Sequence, residues 1–313
     1  MRILFVMDPL DGINIAKDTT FAFLLEAQRR GHEVWICEAR LISATGAGAV
    51  ARAQRVVVQR VEGAHYRVEA EERVPLSDFR AVLMRKDPPF DMGYLYATYL
   101  LDQVDPAQTL VINRPQGLRN ANEKAFILNF PDVIPDTLVA QSRREIRRFV
   151  DDVGGHAVIK PLDQMGGTGI FLLRSDDPNF NTILDTSTHF GAEYVMVQRY
   201  VPEARLGDKR VILMDGAPLG AVLRVPTGVE FRGNMAAGGS AQKTTLSDRE
   251  LEIIEYVAPK LREEGLWFVG LDIIGDYVTE VNVTSPTGVQ EIDRLDNKTI
   301  ERDVFDWIED ACA

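Results

Sequence analysis

The stretch from Ile3 to Cys37 constrains this chain more than any other. Ile3 to Met7 is a compact apolar run, as a buried strand requires. Asp18 is placed to cap a helix from Thr19 to Arg30, along which Phe21, Leu24, Leu25 and Gln28 recur at helical spacing. Gly31 suits the position after its end. Val34 to Cys37 is a second strand. A strand, a crossover helix and a strand in this order predict a parallel sheet, because parallel neighbours cannot be joined by a tight turn. Val56 to Val74 alternates weakly and reads as a hairpin. Ala81 to Met84 and Leu110 to Asn113 add strands, so a first α/β domain is expected over residues 1–120.

The rest has a different texture. A basic helix is expected over Val139 to Val153, with Arg143, Arg144, Arg147 and Arg148 on it; a solvated face is the simpler reading of such a run. Ala157 to Lys160 and Ile170 to Leu173 flank a glycine loop and form a hairpin. Tyr194 to Arg199 and Arg210 to Met214 read as strands. Asp215-Gly216 is a hairpin turn leading into Leu219 to Val225. Thr227 to Lys243 lacks periodicity and reads as a long loop. Ser247-x-x-Glu250 is a capping box for a helix to Glu264, closed by Gly265. Trp267 to Ile274 and Tyr277 to Val283 flank the turn Gly275-Asp276.

Composition narrows the chemistry. Lys and Arg number 35 against 47 Asp and Glu, a net charge of −12. That balance does not offer the broad basic face that nucleic acid needs, so no nucleic-acid partner is expected. Cys37 and Cys312 cannot build a disulfide framework or a four-ligand zinc site. His32, His65, His156 and His189 show no HxxxH or HExxH spacing. The N-terminal apolar run is short and is broken by Asp8 and Pro9, and no stretch of about 18 apolar residues occurs. The expected setting is the cytoplasm, with no membrane partner.

Three clusters carry chemistry. Glu280 and Asn282 are two apart on one strand and share a face. The Gly275-Asp276 turn brings Asp272 back beside them. Two carboxylates and an amide oxygen are hard ligands of the kind Mg²⁺ takes, and the apolar flanks (Val269, Leu271, Ile273, Val281) argue that the hairpin is buried. Buried carboxylates need cations. The second cluster is Met165-Gly166-Gly167-Thr168-Gly169 after Lys160-Pro161. Adjacent glycines let backbone N–H groups cradle phosphate. No Gly-Lys-Ser/Thr follows, and the loop opens no helix, so it is neither a P-loop nor a dinucleotide fingerprint. The third cluster is cationic: Lys124, Lys160, Lys209, Arg210 and Arg224. Taken singly, each arginine reads as a salt bridge. Beside a carboxylate metal site they describe phosphoryl transfer, in a pocket expected to be electropositive.

In this order, these residues resemble the ATP-grasp superfamily and, within it, the bacterial glutathione synthetase family. The match lies in Val6 to Pro9, Leu83 to Phe90 (with Arg85-Lys86-Asp87-Pro88-Pro89-Phe90), Gly233 to Gly239, Phe268 to Asp276 and Glu280 to Pro286. The Arg-Lys-Asp-Pro-Pro-Phe motif narrows the superfamily to this family. The resemblance implies an ATP-grasp fold, mixed α/β, behind an N-terminal Rossmann-like parallel-sheet domain over 1–120. Two ATP-grasp subdomains would follow, over 121–200 and 201–313, with a mobile loop at 226–242.

The resemblance also implies a reaction and its machinery. ATP would drive the joining of γ-glutamylcysteine to glycine through an acyl phosphate. Asp272, Glu280 and Asn282 match the Mg²⁺ ligands, with Mn²⁺ a possible substitute. Lys124 and Lys160 match the ATP-phosphate lysines, and Gly166 and Gly167 the small phosphate flap. Gln198 to Val201 match a strand end that reads adenine through its backbone, and Asp208 a ribose contact. Arg210 and Arg224 match cations at the transferring phosphoryl. Arg85 and Ser285 are candidates for substrate carboxylates. A homo-oligomer, a tetramer in particular, is implied. Two alternatives stay open: another carboxylate–amine ligase of the superfamily, and a nucleotide-binding module without catalysis. A Rossmann-type oxidoreductase is disfavoured, since no GxGxxG follows the first strand.

Overall fold

The computed structural model describes residues 1–164, 166–226 and 239–313. β1 (Arg2–Val6), α1 (Thr19–Arg29) and β2 (Glu33–Cys37) form the expected opening unit. β1 and β2 pair in parallel from Arg2↔Glu33 to Val6↔Cys37. Asp18 Oδ1 accepts from Phe21 N at 2.6 Å and caps α1. Gly31 follows the helix at φ +77°, where a Cβ is unwelcome.

The chain then departs from expectation. Three antiparallel strands follow in place of one hairpin: β3 (Ile42–Thr45), β4 (Gly48–Val58) and β5 (Tyr66–Pro75). β4 pairs with β2, β3 and β5. On β5 only Val74 is buried, so it lacks the apolar alternation that marks a strand in sequence. β6 (Ala81–Met84), α2 (Met92–Leu101), β7 (Leu110–Ile112) and α3 (Pro115–Asn120) complete this part. The sheet runs β3-β4-β2-β1-β6-β7, with β5 on β4. Along β1, Leu4 and Val6 enter one apolar layer and Ile3 and Phe5 the other. A parallel sheet covered on both faces demands such a strand.

A small antiparallel sheet comes next. Its elements are β8 (Thr137–Ala140), α4 (Arg143–Asp152), β9 (His156–Pro161), β10 (Phe171–Arg174), α5 (Phe180–Ser187) and β11 (Val195–Arg199), with strand order β10-β9-β11-β8. The basic helix starts four residues later than expected. Residues 137–140 are strand, and Ser142 accepts from Glu145 N to cap α4. Arg144 and Arg148 are solvated, as the simpler reading held. This sheet has an apolar core of its own, built on Ile146, Val150, Ile159, Leu173, Phe180 and Val197.

The third sheet is antiparallel. β12 (Asp208–Met214), β13 (Ala217–Val225), β14 (Ser240–Lys243), α6 (Asp248–Glu264), β15 (Phe268–Ile274), β16 (Tyr277–Asn282), α7 (Val289–Asp296) and α8 (Ile300–Ala311) give the order β14-β13-β12-β15-β16. Ser240–Lys243 is strand rather than loop, paired to Val222–Val225. Most of the expected mobile loop, 227–238, lies outside the described residues. Ser247 and Glu250 make the reciprocal capping box, and Gly265 closes α6 in the left-handed region. Ser247→Ala removes one half of that box. It should lower unfolding free energy by about 1 kcal/mol. Urea unfolding tests this, and an unmoved midpoint would show the cap to be redundant.

The first and third sheets share their apolar layers. Leu4, Val82 and Leu118 belong to the same cluster as Val211, Val269 and Val281. Buried Asn113, just after β7, stitches them together. Its Nδ2 donates to Phe268 O and Val283 O, both at 2.9 Å, and its Oδ1 accepts from Phe268 N at 2.8 Å. Among the described residues no helix is long and apolar enough to cross a membrane.

Candidate active site

The β15–β16 hairpin sets the site. Its register places Asp272 opposite Glu280 and Gly270 opposite Asn282. Asp272, Glu280 and Asn282 therefore point to one face. On the other side of β15, β12 places Arg210 opposite Asp272, and β13 places Arg224 opposite Asp208. A buried ionic chain results. Arg210 reaches both Asp272 oxygens, with Nη2 2.8 Å from Oδ2. Arg224 Nη2 lies 2.9 Å from Asp272 Oδ2, and its guanidinium forks onto Asp208, with Nε 2.9 Å from Oδ1. Arg210 Nη1 also donates to Thr287 O at 3.2 Å. Asp272 is only 2% exposed. Burial opposes its ionisation, but Arg210 and Arg224 outweigh burial and hold its carboxyl well below the usual range. Burial raises the Asp208 carboxyl, and Arg224 opposes that rise.

The lysines approach from the small sheet's side. Lys124 Nζ donates to Gln164 O at 2.5 Å and lies 3.3 Å from Glu280 Oε1. Lys160, on β9, donates to Gln198 Oε1 at 2.5 Å, and Gln198 Nε2 donates to Thr137 Oγ1 at 3.0 Å. Burial pushes the Lys160 ammonium down to about 8; Glu280 opposes that fall and Lys124 adds to it. Gly166 and Gly167 both take positive φ, +64° and +84°, where side chains are strained.

Two cavities meet at these groups. One is lined by Lys124, Lys160, Gly167, Gln198, Val201 and Asp208. The other, ≈ 320 Å³, is lined by Glu123, Arg210, Arg224, Asn282, Ser285 and residues of the loop before α1. Gly166 and Glu280 belong to both walls.

Two expectations need correction. Arg85 does not line either cavity. It is 5% exposed; its Nε donates to Thr20 Oγ1 at 3.1 Å and its Nη2 to Pro286 O at 3.0 Å. It sits over the rings of Phe23 and Phe268. It thus anchors the Ser285–Pro286 loop from behind, and a motif reading cannot tell an arginine in a wall from one facing a cavity. Nor do the side chains build an electropositive pocket. Lys124, Arg210 and Arg224 each face a carboxylate, and among the described residues only Lys160 of the four lacks one within ion-pair range.

The donor set fits a divalent cation. Among the described residues no group of three His, Cys, Asp or Glu could hold a metal. The hairpin reaches three oxygen donors only through the Asn282 amide, which lies 3.3 Å from Asp272 Oδ2. Hard carboxylate and amide oxygens suit Mg²⁺ or Mn²⁺ rather than softer metals.

Sequence reasoning missed Glu123. Its Oε1 accepts from Val283 N (2.8 Å), Thr284 N (3.0 Å) and Thr284 Oγ1 (2.8 Å). It thereby fixes the loop after β16. Burial raises its carboxyl, and Glu280 adds to the rise. Its place beside Lys124 was the one available signal.

An ATP-grasp enzyme, an ATP-dependent ligase, is the class that this fold and these facing cavities define. D-cycloserine synthetase DcsG has the same fold, with a TM-score of 0.69 at 16% identity over 98% of this chain and 99% of that one. ATP-grasp ligase PsnB complexed with minimal precursor gives 0.65 at 18% identity, over 99% and 98%. At such identity only the fold is shared. The chain belongs to the prokaryotic glutathione synthetase family. Residues 1–119 match the model of that family's N-terminal domain, and residues 123–297 match the model of its ATP-grasp domain. Glutathione synthetase of Gloeobacter violaceus is 48% identical over 98% of this chain and 96% of that protein. The Synechococcus elongatus protein of the same name is 49% identical, over 96% and 95%, and that of Yersinia pestis 47%, over 94% and 92%.

Proposed function

We propose that this chain uses ATP to join γ-glutamylcysteine to glycine, giving glutathione, ADP and phosphate. One observation carries the reading: the two cavities meet at Gly166 and Glu280, with Arg210, Arg224 and the lysines around the junction. A nucleotide in the first cavity would place its γ-phosphate at that junction, facing a carboxylate in the second. A cysteinyl carboxylate oxygen attacks the γ-phosphorus, and the bond to the bridging oxygen of ADP breaks. The acyl phosphate has a leaving group that a bare carboxylate lacks. Glycine's amine attacks its carbonyl, loses a proton, and phosphate departs.

In this reading Lys124 and Lys160 hold the ATP phosphates, with Gly166 and Gly167 donating backbone N–H groups above them. Gln198 and Val201 border the adenine and Asp208 the ribose. Arg210 and Arg224, held in place by Asp272 and Asp208, offset the charge on the transferring phosphoryl without moving far. Asp272, Glu280 and Asn282 would hold Mg²⁺, or Mn²⁺ in its stead. The ion supplies charge neutralisation on the phosphates. Ser285 takes a substrate carboxylate. Division into 1–120, 121–200 and 201–313 follows the three sheets, with residues 226–242 as a covering loop. The family resemblance supports a cytoplasmic homotetramer, for which light scattering should return four times the 35.0 kDa of one chain.

The test is phosphate release from ATP with Mg²⁺ and γ-glutamylcysteine, with and without glycine, and with the product weighed. Release that needs both substrates, with a glutathione mass, is expected. Release with other acceptor pairs only would move the chain to another ligase of the superfamily. ATP binding without release under any pairing would make it a non-catalytic module.

A further inference from the structure

The second cavity carries more charge than phosphoryl transfer needs. Its far wall joins the loop before α1 to the first turn of α7, and Lys17, Asp18 and Glu291 line it. Gln290 Nε2 fastens the two elements, donating to Ile15 O at 3.2 Å and Asp18 O at 2.5 Å. Glu291 is 5% exposed. Its Oε1 lies 3.5 Å from Arg294, while Oε2 has no hydrogen-bond partner among the described residues. A buried carboxylate oxygen without a donor is costly. On a cavity wall it marks the place of a cationic donor brought by a ligand. Asp18 supplies a second carboxylate, of which Oδ1 caps α1. Lys17 makes no ion pair among the described residues.

We propose that Glu291, with Asp18, binds the α-ammonium of the γ-glutamyl residue and that Lys17 binds its α-carboxylate. The far wall then selects a dipeptide linked through the side-chain carboxyl. This rests on the reading above. A γ-linkage leaves ammonium and carboxylate together on one carbon, at the end remote from the reacting cysteinyl carboxylate. The cavity has the matching polarity. A Cβ on Gly288 would lie 3.4 Å from Arg210 Cγ, so α7 starts at the reacting end. Glu291 stands three residues further on, about 4.5 Å along the helix. An α-linked glutamylcysteine has no carboxylate on that carbon for Lys17. The ≈ 320 Å³ volume suits a small ligand.

The test compares γ-glutamylcysteine with glutaryl-cysteine, which lacks only the α-ammonium, at saturating ATP and glycine. The wild type should prefer the former in kcat/KM by roughly 10–100-fold, the range for a hydrogen bond to a charged group. In Glu291→Gln that preference should shrink several-fold or more through the dipeptide KM, with the KM values for ATP and glycine unmoved. Asp18→Asn keeps the helix cap and should shrink the preference in the same direction. An undiminished preference in Glu291→Gln, or a shift in the glycine KM instead, overturns the assignment. If Glu291→Gln does not fold, an undiminished preference in Asp18→Asn overturns it. A wild type that ligates other pairs but not γ-glutamylcysteine overturns the reading above as well, and that failure shows without any substitution.

Discussion

Asp272→Asn is expected to abolish ligation, by at least about 10³-fold in kcat, the scale on which preorganised charge acts at a transferring group. The same change should cost about 3–5 kcal/mol of stability, because it leaves Arg210 and Arg224 buried without their shared counter-charge. The two losses have one origin: the carboxylate that positions the arginines also contributes to the metal face. The pH dependence follows from the depressed carboxyl. In the wild type its contribution is full above the ordinary carboxylate range and is lost as pH falls through the native value; the variant has no such component. Urea unfolding at several pH values, with single-turnover rates on the folded fraction, tests both. A stability within about 1 kcal/mol of the wild type would mean that other groups compensate the arginines.

Lys160→Met should act in opposite directions on stability and on function. The native ammonium titrates near 8 rather than at its ordinary 10.5 because burial disfavours its charge. Below pH 8 both folded and unfolded states carry the proton, and the folded state bears the cost. Between 8 and 10.5 the folded state has lost it, so stability rises with pH across that window. A fall from 10.5 to about 8 corresponds to about 3 kcal/mol. The Lys160 side chain keeps a window on the cavity, which trims the figure to about 2. The variant should be more stable than the wild type by that amount at pH 7, and should bind ATP at least about tenfold more weakly. Wild-type ATP affinity should also fall as pH rises above 8, and that slope should vanish in the variant. Calorimetry of ATP binding at pH 7 and 9, beside thermal unfolding, decides it. A destabilised variant, or one that keeps the pH slope, would remove Lys160 from the phosphate site.

Much of this was legible in the sequence, and the reasons are local. The opening strand–helix–strand unit declared itself through Asp18, the apolar face of α1 and Gly31. The two hairpin turns at Asp215-Gly216 and Gly275-Asp276 fixed registers, and register alone put Asp272 across from Glu280. What stayed hidden was decided by tertiary neighbours. β5 is an exposed strand with one buried residue and looks polar in sequence. Ser240–Lys243 is strand because β13 offers it an edge. Arg85 and Glu123 are both charged residues in plausible motifs. Only the packed structure separates Arg85, sealed behind the cavity against two aromatic rings, from Glu123, turned inward to hold the Val283–Thr284 backbone.

The apolar layers running from the first sheet into the third set a limit on how this protein can change. The family models divide near residue 120, yet no seam exists there in the interior: Leu4 and Val281 lie in one continuous packing, and Asn113 ties the edge of one sheet to the backbone of the other. Neither half can be traded for its counterpart in a distant relative without a mismatched contour along its whole length. Only the small four-stranded sheet, wrapped round its own nucleus of side chains, is free to diverge, tilt or be exchanged as a piece. Inheritance in this lineage is therefore expected to have carried residues 1–120 and the metal hairpin together, as one heritable block.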